Sequence, residues 1–287
     1  MRRKFQADEV LHIYQRTVSG FNIFYSTEDF LVFYTIVSVY ARRFGIVLLG
    51  LCQMIDHIHL LGSAGSLTDL SRFVSAYTSR FVKEFNNRTG PLFEKGYGSA
   101  LKREAKKIRS AIAYLFNNPV EKMLCARAEE YRWNYLRYYG NPLSLTGVRN
   151  YSSRLKKSVK IIQGRFRKGV YLNYSLLDMV FEELDKEERE HLVEYIIMTY
   201  FPFDAKKLTS YYKSYEDMLI AINSNTGSEH DIQEHHYSKT DLAYREMISY
   251  LKNHGLEGVR SVVTMNKEDK MQLAALLKSK TSATYRQ

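Results

Sequence analysis

The sequence predicts an α+β fold, in which an antiparallel sheet carries helices on one face and an all-helical region follows it. Two patterns indicate this class. Strand and helix periodicities alternate over residues 1–140, and only helix periodicity is present from residue 176 onward. The charge divides at a similar place, because residues 1–169 hold 28 lysines and arginines against 12 acidic residues, whereas residues 170–287 hold 14 against 19. We therefore expect a first domain over residues 1–150, a basic linker over 151–169 and a helical domain over 170–287.

The predicted sheet domain begins with a strand over residues 10–18. Thr27 has the side chain of a helix N-cap and is followed by two acidic residues, so we expect a helix from there to Arg43. Residues 46–54 and 57–61 then predict two strands around a tight break. The domain thus starts with the order strand, helix, strand, strand.

The second half of this domain repeats the helix and the strand. Ser66 or Thr68 is expected to cap a long helix that ends near residue 86, and residues 91–94 predict a short fourth strand. A further helix is expected from about Lys102 to Asn118, where Pro119 ends it. The complete order is the plan of ferredoxin-like and RRM-like domains, with one helix appended.

The remaining chain predicts a basic connection and helices. Residues 151–169 hold seven basic residues and no acidic one, which indicates either a solvated linker or an arm along a phosphate backbone. Helices are expected over residues 176–200, 214–223, 239–254 and 267–279. The last of them resemble the first half of a helix-turn-helix motif, which would be truncated here. Its recognition helix would begin near Ser282.

Composition excludes several classes of protein. An apolar share of 45% with 14% aromatic residues indicates a folded chain, and two widely separated cysteines predict neither a disulfide framework nor a zinc knuckle. The first residues lack the apolar core of a signal peptide, and the longest apolar run is too short to cross a bilayer. We expect a cytoplasmic protein with no membrane partner. Its basic first part suggests a nucleic acid as partner, and the protein would be nucleoid-associated when bound to DNA.

The segment His57-Ile58-His59 is the first candidate for chemistry. Side chains two apart on a strand face the same way, so both imidazoles can reach one metal ion while the isoleucine points into the core. A purely structural origin for such a pair remains open at this point. Asp56 adds a carboxylate that can orient an imidazole from behind.

Tyr114 and Asn118 form the second candidate. They are four residues apart on a predicted helix and therefore share a face. Asn118 precedes Pro119, so its side chain can present an oxygen ligand at the helix end. Alone, one tyrosine among 23 would indicate only packing.

Taken together, these motifs resemble those of a known family. The chain carries His57-Ile58-His59-Leu60-Leu61, then Tyr114 through Asn118-Pro119-Val120, then Tyr131-Arg132-Trp133. Over about residues 8–140, their order and spacing resemble the single-tyrosine HUH transposases, and among these the REP-associated tyrosine transposases. The sequence departs from the family at three positions: Ile55 where proline is common, Asp56 where asparagine is common, and Glu121 where many members have arginine.

The resemblance implies an HUH nuclease domain that cleaves and rejoins single-stranded DNA near hairpins. In it, His57, His59 and Asn118 would bind Mg or Mn, and Tyr114 would be the nucleophile that forms a 5′-phosphotyrosine. Asp56 would support the ligands from behind. The expected partner is single-stranded or hairpin DNA, and the resemblance leaves open whether the protein is a monomer or a homodimer.

Contacts with DNA are expected from basic and aromatic side chains near this site. The basic candidates are Arg72, Arg80, Lys83, Lys95, Lys102, Arg103, Lys106, Lys107 and Arg109, and the stacking candidates are Phe93, Tyr97 and Tyr131. The cluster of acidic residues and histidines at 229–236 is interpreted as a polar loop rather than a second metal site. Two alternative functions stay open: a hairpin-binding protein that has lost cleavage, and a DNA-binding regulator that acts through the C-terminal helices.

Overall fold

Four strands form the only sheet found among the residues that the computed structural model describes, which are 9–20, 22–86, 91–140, 152–224, 242–256, 262 and 265–283. The strands are β1 (Val10–Arg16), β2 (Val47–Gln53), β3 (His57–Ser63) and β4 (Gly98–Lys102). They lie in the order β2-β3-β1-β4, and every neighbouring pair is antiparallel. The predicted α+β class and the strand-helix-strand-strand-helix-strand order are therefore confirmed.

Helices make up most of the remaining described chain. The first three are α1 (Thr27–Arg43), α2 (Leu67–Asn86) and α3 (Ala105–Glu121). The C-terminal part contains α4 (Ser153–Arg167), α5 (Tyr174–Phe181), α6 (Lys186–Thr199), α7 (Ala205–Thr209), α8 (Tyr215–Asn223), α9 (Leu242–Asn253) and α10 (Lys267–Lys280). None of the helices in the described ranges is both long and apolar enough to span a membrane.

Helices cover both faces of the sheet. Leu11, Ile13, Ile58 and Leu60 point to the face that packs against α1 and α2, as the prediction of a single covered face requires. The alternate residues of the same strands point to the opposite face, where α3 packs against β2, β3 and β4. The sequence predicted helices on one face only. The structure has a second helical layer, and the residues that point to either face of the strands are therefore buried.

Two predicted boundaries near β4 were wrong. Residues 91–94 form only an isolated bridge between Phe93 and Thr17, and the fourth strand follows the turn at Gly96, which has φ +86°. Helix α3 continues through Pro119 to Glu121. A proline in the last turn removes a single helical N–H donor, so the helix can pass it and end within the next turn.

The C-terminal helices share one hydrophobic core with the sheet domain. Tyr34 of α1 donates a hydrogen bond to the Ile197 carbonyl at 2.8 Å, and Tyr174 donates one to Asp29 at 2.9 Å. Helix α8 packs on the outer side of α3. The division of the chain at residue 150 stays a prediction about its organisation, and the packed core crosses that position.

Most of the predicted linker over residues 151–169 is helix α4, and its role as a linker between two domains stays a prediction. Ser152 caps this helix, accepting a hydrogen bond from the Leu155 N–H at 3.1 Å. The predicted helix over residues 176–200 is split into α5 and α6 at Glu183, whose φ of +65° ends the first helix. Asp185 then caps the second.

Helices α9 and α10 contact each other at the end of the described chain. The Ser282 N–H donates to Glu246 at 2.6 Å, and residues 284–287 lie outside the described residues, so the helix-turn-helix stays a prediction. The acidic and histidine cluster at residues 229–236 also lies outside them.

Ser26, rather than the predicted Thr27, caps α1 in a capping box with Asp29. We expect Ser26→Ala to lower the free energy of unfolding by about 1 kcal/mol, because the Asp29 N–H loses its side-chain acceptor. The change is measured by urea denaturation, with Thr27→Ala as the matched control. An equal loss in both variants would contradict this assignment of the cap.

Candidate active site

Strand β3 places two histidines on the α3 face of the sheet. His57 and His59 alternate with Ile58, which is fully buried on the other face. The two imidazole centroids lie 5.1 Å apart, with ring planes at 88°. Both rings therefore face the same space, as the sequence predicted.

Helix α3 brings Tyr114 and Asn118 to the same histidines. The Tyr114 ring lies 5.4 Å from the His59 ring, and the two planes are nearly perpendicular at 88°. The Asn118 amide nitrogen lies 3.4 Å from His59 Nε2. The four residues predicted to form the site thus converge, although 59 positions separate Asn118 from His59 along the sequence.

His12 is part of this cluster and was missed by the sequence analysis. Its Nε2 lies 3.2 Å from His59 Nδ1, and its ring lies 5.8 Å from that of Tyr114. The signal was present in His12-Ile13-Tyr14, which has the same polar-apolar alternation as residues 57–59. A single histidine in a strand is too common a feature to reveal this role without the β1–β3 register, which pairs Tyr14 with His59.

The Nδ1 atoms of the two β3 histidines contact different groups. Asp56 Oδ1 lies 2.6 Å from His57 Nδ1, while His12 holds the corresponding nitrogen of His59. A hydrogen bond at Nδ1 fixes the ring orientation and leaves Nε2 for another contact. Asp56 therefore occupies the supporting position that the sequence analysis gave it.

Two buried polar atoms of this cluster, His57 Nε2 and Asn118 Oδ1, have no hydrogen-bond partner among the described residues. Leaving such acceptors buried and unsatisfied costs free energy, so their presence calls for a ligand. Rotation of the Asn118 amide exchanges its oxygen and nitrogen, which would turn the oxygen toward His59 Nε2. The described residues contain no group of three or more His, Cys, Asp or Glu side chains able to bind a metal. The predicted ligand set differs from such a group, because one of its three members is the amide of Asn118.

Residues 131–135 hold the turn that carries Asp56 and His57. Tyr131 donates a hydrogen bond to the Gln53 carbonyl at 2.8 Å, and Tyr135 donates one to the Gln53 side chain. Trp133 stacks on Phe30 of α1, with centroids 4.3 Å apart. Burial raises the pKa of Tyr131 well above its usual value, so its hydroxyl stays a donor at neutral pH. The Tyr131-Arg132-Trp133 motif thus supports the turn of the site, and base stacking by Tyr131 stays a prediction.

The cluster is open to solvent on one edge. His12, His59, Tyr114 and Asn118 are each at most 3% exposed, because they lie between α3 and the sheet. The His57 side chain is 13% exposed and that of Asp56 is 30% exposed. The cluster is therefore reached from solvent most directly at the β2–β3 turn.

Several predicted DNA contacts are exposed in the structure. These side chains are Arg72 and Lys83 on α2, Lys95 before β4, and Lys106, Lys107 and Arg109 on α3. Lys107 lies 3.9 Å from Glu104, an exposed pair that contributes little to stability. Contact of these residues with DNA stays a prediction.

Other predicted contacts are engaged within the protein. Arg80 binds Tyr171 and Glu84, Arg103 pairs with Glu9, and Tyr97 shares a hydrogen bond with Ser71 at 3.0 Å. Lys102 and Phe93 are buried, at 1% and 4% exposure, so neither offers a surface to DNA. For these two the prediction was wrong, because a residue's local sequence does not show which face of an edge strand another element covers.

Residues 11–118 match the family model described as "Transposase IS200 like". One similar solved structure is described as a REP-associated tyrosine transposase bound to a REP hairpin; it has 12% sequence identity and a TM-score of 0.40, over 53% of this chain and 94% of that chain. No curated protein matches the sequence. All five clustered side chains, His12, His57, His59, Tyr114 and Asn118, fall inside the matched residues, and this match confirms the resemblance found from the motifs.

Proposed function

We propose that this transposase domain cleaves and rejoins single-stranded DNA, with Tyr114 as nucleophile and Mg or Mn as cofactor. The observation that carries the proposal is the convergence of Tyr114 and Asn118 from α3 with His57 and His59 from β3 in one buried cluster. Packing alone would not place a phenol, an amide and two imidazoles together while leaving acceptors unsatisfied.

The donor atoms fit a divalent metal. His57 Nε2, His59 Nε2 and Asn118 Oδ1 are the three atoms we assign to it, since the other ring nitrogens are held by Asp56 and His12. Nitrogen and amide oxygen ligands that leave coordination positions open suit an ion that also binds a phosphate. When bound, this ion would polarise the scissile phosphodiester and stabilise the negative charge that develops on it.

Tyr114 acts on the scissile phosphorus. Its phenolic oxygen forms the new P–O bond, the bond to the 3′ oxygen breaks, the phenol loses its proton and the departing oxygen gains one. The products are a 5′-phosphotyrosine and a 3′-hydroxyl. Because the new phosphodiester conserves the bond energy, another 3′-hydroxyl can displace Tyr114 and join the strand without ATP. Tyr114 is only 3% exposed, so water has little access to a phosphotyrosine formed there. Low access of water favours joining over hydrolysis.

The substrate is single-stranded DNA beside a hairpin, as the resemblance to REP-associated transposases implies. Exposed cations on α2 and α3 supply sequence-independent affinity for its phosphates. The strand enters from the edge where His57 and Asp56 reach solvent. Activity of this kind places the protein in the cytoplasm, with the nucleoid.

Tyr114→Phe is expected to form no covalent adduct with DNA, because it removes the only oxygen that attacks, while hairpin affinity changes less than about threefold. The assay incubates protein, Mn and single-stranded oligonucleotides from the gene's flanks, and detects adducts by denaturing electrophoresis and mass spectrometry. Tyr14→Phe is the matched control, because Tyr14 pairs with His59 on the same sheet. An adduct formed by Tyr114→Phe, or none formed by the wild type on any hairpin, would contradict the proposal.

His12 is expected to act as a positioning residue for His59. His12→Phe should weaken Mn binding by about 10- to 100-fold, the usual effect of removing the partner of a ligating histidine. His12→Gln keeps a polar group near His59 Nδ1 and should recover part of the affinity. Isothermal titration with Mn measures both, beside the free energy of unfolding without metal. Equal Mn affinity in the wild type and His12→Phe would leave His12 with a packing role only.

A further inference from the structure

Helix α4 presents a cationic face that the proposed chemistry does not use. We define the α4 surface as Lys156, Lys157, Lys160, Arg167 and Lys168, all exposed. At 3.6 residues per turn they fall within about 120° of the helix circumference. Leu155, Ser158 and Ile162 lie on the other side and are buried, with the Ser158 hydroxyl donating to the Val180 carbonyl at 2.9 Å.

No acidic side chain in the described part of the chain forms an ion pair with the cations of the α4 surface. Residues 151–169 contain no acidic residue. The ion pair found on this helix belongs to Arg154, which contacts Glu183 at 3.0 Å and lies outside the α4 surface. Like charges three and four residues apart, as at Lys157–Lys160 and Lys156–Lys160, destabilise a helix. A face that only needed solvation would alternate the two signs.

The α4 surface lies on the far side of the sheet from Tyr114. Helix α4 packs on α5 and α6, and those two helices pack on α1. Helix α1 covers the sheet face opposite to α3. Arg42 at the end of α1 lies over the Phe166 ring at 4.4 Å, which extends the basic surface along this side. A strand that entered the active site would therefore approach the face of the sheet opposite to α4.

The chemistry of the surface fits a duplex backbone. From Lys156 to Arg167 the helix rises about 17 Å, over which a DNA duplex presents on the order of ten phosphate charges. Surfaces for single strands add aromatic side chains on which unpaired bases stack. The α4 surface has none, and the aromatic ring of this helix, Phe166, is covered by Arg42.

We propose that the α4 surface is a second DNA-binding site, which holds the phosphate backbone of a duplex while the single strand occupies the active site on the other side of the sheet. The choice of DNA as partner rests on the proposed function. Such a site would retain the double-stranded flank, or a second DNA segment, during cleavage and joining.

The test measures binding of a blunt 24-base-pair duplex by fluorescence anisotropy at several salt concentrations. The variant Lys156→Gln, Lys157→Gln, Lys160→Gln should bind at least tenfold more weakly, and the slope of log affinity against log salt should fall by about 0.9 for each lost phosphate contact. The control Lys206→Gln, Lys213→Gln, Lys252→Gln removes the same charge from other exposed positions and should change affinity less than threefold. Circular dichroism verifies that both variants are folded.

Equal losses in the two variants would show that net charge sets the affinity and would overturn the proposal. The proposal would also be overturned if the α4 variant kept its affinity for the duplex but lost binding to phosphatidylserine vesicles. That result would assign the α4 surface to a membrane. Adduct formation on a short single strand should be the same in wild type and α4 variant. If the wild type forms no adduct yet the α4 variant loses duplex binding, the proposed function fails and the α4 surface stands.

Discussion

The antiparallel pairing of β1 with β3 sets the position of the groups in the candidate site. In this register His12 and Tyr14 of β1 face the same side as His59, and α3 lies across that side with Tyr114 and Asn118. A slip of one residue would turn the imidazoles into the apolar layer formed with α1 and α2. Hydrophobic residues on the alternate positions, such as Ile13 and Ile58, prevent that slip because both are buried there. The core that folds the sheet therefore also aligns the site.

The helices after residue 151 complete this arrangement from both sides. Helices α5 and α6 cover α1, whose residues are buried nearly all round, as expected of a helix that is apolar on every side. Helix α8 packs on α3, and Asn223 at its end donates to Glu129 and accepts from the Ala128 N–H. Helix α3 is thus held between the sheet and α8. The C-terminal part contributes to the site by fixing the helix that carries Tyr114.

The sequence was sufficient for features that depend on short spacing. Alternation made His57 and His59 candidates, and a spacing of four did the same for Tyr114 and Asn118, because strand and helix periods are local properties. Only the resemblance of the combined motifs to a known family singled these four residues out. His12 required the pairing of two strands, and the burial of Lys102 and Phe93 required the packing of distant segments. No helix was expected within the predicted linker, since the basic side chains of α4 obscured its narrow apolar stripe of Leu155 and Ile162. Long-range contacts decide such cases.

We propose that His57, His59 and Asn118 bind one metal ion beside Tyr114. The most direct measurement is an anomalous difference map from a crystal of the protein soaked in Mn. We predict a single peak in contact with His57 Nε2, His59 Nε2 and the Asn118 side-chain oxygen, and no such peak in a crystal of Asn118→Leu. A map of the wild type without a peak among these atoms, at Mn concentrations that support adduct formation, would contradict the account.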